Sequence, residues 1–137
     1  MVFEQITLFI GRLLIGGYFA FSGLNHFMKK EQLSGWSASR GVPMPDVAVL
    51  GTGLMLVLGG LSIVTGAFPA VGVGLIGLFL LVATPWMHNF WDMEGEEKQN
   101  HMINFLKNVG LLGGLLVVLS IALGEGITAY SLGLSIL

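Results

Sequence analysis

Between Pro85 and Asn108 the chain reads PWMHNFWDMEGEEKQNHMINFLKN, crowding His88, Asn89, Trp91, Asp92, His101, Asn104 and Lys107 into one short region. Asn25 and His26, at the end of the first apolar run, add the last of the chain's three histidines. Imidazole donates or accepts a hydrogen bond and changes protonation near neutral pH, so it suits proton transfer. A carboxamide holds a carbonyl, and an ammonium favours developing negative charge. These types together suit a ligand with carbonyl oxygens and a demand for protons, such as a quinone in an apolar slot. No metal is assigned, because no C-x-x-C or H-E-x-x-H spacing accompanies the histidines.

Each of these residues also has a plainer reading. A histidine at a membrane boundary serves as an interfacial hydrogen-bonding group. Trp86 and Trp91 read as an aromatic belt, and Trp36 as a further headgroup-level residue. The acidic run 92–100 reads as a solvated loop, and Pro85 as the kink or end of its helix. The case for a site rests on whether the surrounding elements bring these residues together.

Those elements follow from composition. Hydrophobic residues make up 54% of the 137 and charged residues 10%, against about 25% charged in soluble domains. A polar surface cannot be built from this, so lipid is the solvent for most of the chain. Apolar runs cover Ile6 to Met28, Val47 to Thr65, Phe68 to Met87 and Ile103 to Leu123. Each is close to the ~20 residues that cross the hydrocarbon core as a helix, and backbone groups in lipid must be paired within the segment. The expected fold is all-α, a polytopic integral membrane four-helix bundle forming a single domain over 1–137. The short tail 124–137 is too short to add a fifth crossing on its own. The first run has no basic segment ahead of it and reads as a retained helix rather than a signal peptide. With no cysteines, disulfides and thiol redox chemistry by this chain are excluded. Nothing resembles a nucleic-acid footprint, so the bilayer is the first partner.

Four crossings put the 29–46 and 92–100 connections on one face, and the TGAFP turn with both termini on the other. Lys29, Lys30, Arg40 and Lys98 all fall on the first face, which places it in the cytoplasm and both termini outside. His26, His88, Asn89, His101 and Asn104 then meet at one boundary, with Asn25, Trp91, Asp92 and Lys107 at its edge. Glu97, His101, Asn104 and Asn108 follow an i, i+4, i+7, i+11 stripe. Lys107 either snorkels to the acidic loop or presents its ammonium to a ligand. Arg12 is a second intramembrane charge, roughly 21 Å along the helix from His26, and so belongs to a different site. It either snorkels to its own interface or faces the bundle, where Gly16, Phe19 and Gly23 share its face and invite a second backbone.

The stretches GRLLIGGYFAFSGLNHF, VLGGLSIVTG and NFLKNVGLLGGLLVV, in that order, resemble the DoxX family of four-helix membrane proteins. The resemblance implies a bacterial or archaeal inner-membrane protein, with some relatives acting as subunits of a thiosulfate:quinone oxidoreductase and others associating with soluble redox enzymes. Family members often carry Lys where this chain has His26 and Glu where it has Leu56, so a polar interaction inside the bundle is expected to be missing. The functional expectation is a membrane subunit of a quinone-linked redox system. The alternatives are a non-enzymatic scaffold docking a soluble redox enzyme, and a small transporter that works as a homo-oligomer. Electrons would come from a soluble partner or another membrane subunit.

Overall fold

The computed structural model describes residues 2–124. Helix α1 spans Val2–Met28, α2 Lys30–Ser39, α3 Pro45–Thr65 and α4 Pro69–Met87; a 3-10 turn at Phe90–Asp92 leads into α5, Gly95–Gly124. Four segments, containing α1, α3, α4 and α5, are long and apolar enough to cross a membrane. No strand occurs among the described residues.

Two stretches expected as loops are helical. Residues 29–46 contain α2, and α5 starts at Gly95 rather than 103, absorbing most of the acidic connection. Glu, Lys and Gln are good helix formers, and Glu96 and Glu97 sit in the first turn of α5, where the helix dipole favours acids. Helix α1 likewise starts at Val2, and α4 continues past Pro85 to Met87. The tail beyond Gly124 lies outside the described residues.

Helices α3 and α4 begin in the same way. Met44 (φ 45°) and Phe68 (φ 52°) are left-handed, and each is followed by a proline at the first helical position. There the fixed φ of proline fits and its missing N–H leaves nothing unpaired. Gly66, at φ 72°, ends α3. The Ser62 hydroxyl reaches the carbonyls of Ala67 at 2.6 Å and Phe68 at 2.8 Å, tying down the turn to α4.

The buried residues of α1 are Arg12, Gly16, Phe19 and Gly23, one stripe along the helix. It meets α3 antiparallel: Arg12 lies at Val64, Gly16 at Gly60 and Gly23 at Gly53. A Cβ on Gly16 would stand 2.6 Å from the Gly60 carbonyl oxygen, and one on Gly23 2.6 Å from that of Gly53. The two backbones are therefore in contact. In lipid, where apolar burial gives little drive, such close packing supplies the attraction between helices. Gly59, on another face of α3, makes the same room for Ile76 of α4.

The apolar core joins Phe19, Leu56, Ile63, Val73, Ile76, Leu80 and Leu115. Leu56 is fully buried in it, so at the position where family members often carry Glu this chain has apolar packing. Helix α5 joins less deeply, with Leu115 as its buried residue among those described.

The glycine contacts generate a paired prediction. Gly23→Ala forces a methyl against the α3 backbone and should destabilise the bundle by about 1–3 kcal/mol. Gly17→Ala meets nothing within 4 Å and should be neutral or slightly stabilising. Thermal unfolding midpoints in detergent check both; equal midpoints for the two variants would remove the backbone contact as the organising interaction.

Candidate functional site

The loop-rich face collects the end of α1, all of α2, the start of α3, the end of α4 and the start of α5. Helix α4 stops at Met87, and His88 leaves helical geometry at φ −123°, ψ 46°. That break decides where the polar residues go. The His88 ring turns towards α5, and its Nδ1 lies 2.9 Å from Nδ1 of His101. Two δ nitrogens at this distance share one hydrogen: one ring donates and the other accepts, so at most one of the two is cationic. Trp36 of α2 covers the pair, with ring centroids 5.8 Å from His88 and 6.2 Å from His101.

His88 also lines a partly open cavity of ≈480 Å³ to which all five helices contribute residues. Phe19, Phe79, Leu80 and Leu111 give it an apolar body. His26, Lys107 and Asn108 supply polar groups, and among the described residues no carboxylate lines it. His26 is held from α3: its Nδ1 lies 3.1 Å from the Val49 carbonyl and 3.0 Å from the Thr52 hydroxyl, and Phe79 meets its ring edge-on at 5.8 Å. Asn108 donates to the Thr84 hydroxyl at 3.1 Å, fastening α5 to α4 beside the cavity. Lys107 donates to the Asn104 side chain at 3.2 Å. Among the described residues no group of three His, Cys, Asp or Glu side chains is placed to hold a metal ion.

The polar residues do not all share this space. Trp86 stands between two cavities and lines both. On its far side Asn89, Trp91 and Asp92 face Ser39, Arg40 and Gly41 across a second space, also of ≈480 Å³. Arg40 donates to the Met87 carbonyl at 3.0 Å and to Asn89 Oδ1 at 2.6 Å, and the Trp86 indole donates to the Arg40 carbonyl at 2.9 Å. Asn104 bonds back to the Asn100 carbonyl, and neither it nor Asn25 lines either cavity. The structure therefore brings together His26, His88 and Lys107, with His101 behind His88, and sets Asn89, Trp91 and Asp92 apart.

Sequence reasoning missed Arg40 and Thr52 and gave Trp36 a plain headgroup position. For Trp36 and Arg40 the usable signal was their i, i+4 spacing, which counts only once 30–39 is known to be helical.

The family model for DoxX matches residues 7–89, from α1 through the end of α4. The chain belongs to the DoxX family. The matched span carries Arg12, His26, Trp36, Arg40, Trp86, His88 and Asn89. A relative, the inner membrane protein YphA of Escherichia coli (strain K12), is 31% identical over 115 residues, covering 84% of this chain and 82% of that one. No solved structure matches significantly. With its four apolar spans, this DoxX protein is a multi-pass inner-membrane protein.

Arg12 lies at the far end of α1 and serves another purpose. It is 1% exposed, and its Nη2 donates to the Val64 carbonyl at 3.2 Å. Val64 is in the last turn of α3, whose carbonyls lack helical N–H partners and carry the negative end of the dipole. The Phe9 ring lies 5.7 Å from the guanidinium carbon. Arg12→Leu should leave membrane insertion intact and lower unfolding stability by about 1–3 kcal/mol, the effect of stranding a buried carbonyl; Arg12→Lys should recover part of it. Denaturation of the two purified variants checks this, and an unchanged Arg12→Leu midpoint would remove the capping role.

Proposed function

We propose that the carboxylate-free cavity is a quinone site and that this DoxX protein is the membrane subunit of a quinone-linked redox system. The observation that supports it is the shared-proton imidazole pair at the wall of an apolar cavity. A quinone accepts two electrons and two protons to become a quinol. Ligand pockets of about 300–1,000 Å³ with an apolar lining and a few convergent polar groups are suited to such molecules, and this cavity has that size and lining.

The residues divide the work. His88 directs its remaining ring nitrogen to a carbonyl oxygen and gives it a proton. His101 resupplies His88 through the Nδ1···Nδ1 bond, drawing on water at the loop-rich face. The Lys107 ammonium favours the charge that reduction places on the ring, and the lack of a carboxylate avoids opposing it. Trp36 keeps the imidazole pair covered. Electrons arrive from a soluble redox partner or another membrane subunit. We place the loop-rich face in the cytoplasm, because Lys29, Lys30, Arg40 and Lys98 belong to it.

Quenching of tryptophan fluorescence by a short-chain quinone in the purified protein tests the site. His88→Ala should weaken binding about tenfold, equivalent to one charge-assisted or well-buried hydrogen bond. His101→Ala should leave binding largely intact and slow proton-coupled turnover once the electron donor is present. If neither variant alters binding or turnover, the quinone reading fails, and a scaffold that docks a soluble enzyme takes its place. For orientation, the cysteine-free chain allows Lys29→Cys and Glu96→Cys to be labelled singly; both should react from the cytoplasmic side only.

A further inference from the structure

The second cavity is built differently from the first. Arg40 holds its position by donating from one nitrogen, Nη2, to Met87 and Asn89. Its Nε is buried without a hydrogen-bond partner. No carboxylate pairs with Arg40 among the described residues. The nearest acid in the cavity wall, Asp92, is kept apart by Asn89, which accepts from Arg40 with its oxygen and donates to Asp92 Oδ2 at 3.4 Å with its nitrogen. One carboxamide thus bridges the cation and the anion, which make no direct ion pair. Trp86 and Trp91, 43% and 52% exposed, stand on the same cavity. They lie where α4 ends, at the depth at which indoles meet phospholipid headgroups.

We propose that this cavity binds the headgroup of a phospholipid bearing a primary ammonium, with the phosphate on Arg40 and the ammonium on Asp92. A guanidinium matches phosphate oxygens with several donors at once. A primary ammonium donates hydrogen bonds to a carboxylate, which a trimethylated headgroup cannot do. A purely anionic headgroup meets the same Arg40 but forms no ion pair with Asp92, and its net charge is repelled by it. The two tryptophans favour a lipid over a soluble phosphate ester, since their exposed apolar surface is adjacent to acyl chains.

The test uses full-length protein stripped of lipid in detergent and titrated with short-chain phosphatidylethanolamine, phosphatidylcholine or phosphatidylglycerol, read by native mass spectrometry and thermal shift. Phosphatidylethanolamine should bind about tenfold tighter than either of the others. Arg40→Gln should remove binding of all three lipids at this site. That variant also loses the bonds to Met87 and Asn89, so Asp92→Asn, which leaves them in place, is the decisive one. It should keep phosphate-dependent binding while making phosphatidylethanolamine and phosphatidylglycerol equivalent. Equal affinity for the three lipids in the unaltered protein, a preference for phosphatidylglycerol, or a preference that survives Asp92→Asn would each overturn the proposal. Full stabilisation by soluble phosphoethanolamine without acyl chains would overturn the lipid assignment.

Discussion

Two backbones touch along α1 and α3, and the site is arranged around that contact. Because Gly16 and Gly23 oppose Gly60 and Gly53 with no side chain between them, the two helices approach as closely as peptide groups allow. This fixes their relative height. It brings Arg12 level with the last turn of α3 at one end and His26 level with Val49 and Thr52 at the other. One packing interaction therefore sets both a buried cation and a cavity-lining imidazole. Bulkier residues at the four glycine positions would shift the register and misplace both.

The loop-rich face is then divided by a single side chain. The Trp86 indole is bonded to the Arg40 carbonyl, while the Arg40 guanidinium is bonded back to the end of α4. The brace closes on itself, from α4 to the end of α2 and back. On one side lie imidazole, ammonium, the Asn108 carboxamide and an apolar body; on the other lie guanidinium, the Asn89 carboxamide and a carboxylate. Segregating these groups keeps the acids out of the space proposed for a redox-active ring.

The four spans were legible because apolar runs of crossing length leave few alternatives in lipid. Helix α2 was not legible: KEQLSGWSAS has neither the length nor the hydropathy of a span, and it is held by packing on its neighbours. The start of α5 was hidden for the same reason, its acids marking a solvated element without revealing its conformation. Grouping His88 with His101 was readable from the matched ends of two antiparallel helices. Separating Asn89 from them was not, because it depends on the non-helical turn at His88 that rotates the next residues away. Arg12's inward orientation was half legible: its stripe with Gly16 and Gly23 was visible, but its acceptor is a backbone carbonyl, which no side-chain pattern reveals.

The shallow seating of α5 makes the molecule uneven in cohesion. The first three spans interlock through backbone contact and a shared core, whereas among the described residues α5 fully buries only Leu115, packs Leu111, Leu112, Val118 and Leu119 partly against that core, and adds two polar links, to Thr84 and His88. Thermal motion should therefore act first on this helix, opening the bundle like a hinged stave while the glycine-locked pair stays shut. Since Lys107, Asn108 and Leu111 form part of the cavity wall, each such excursion widens the cavity sideways. A molecule dissolved in the hydrocarbon phase could then enter without ever passing through water.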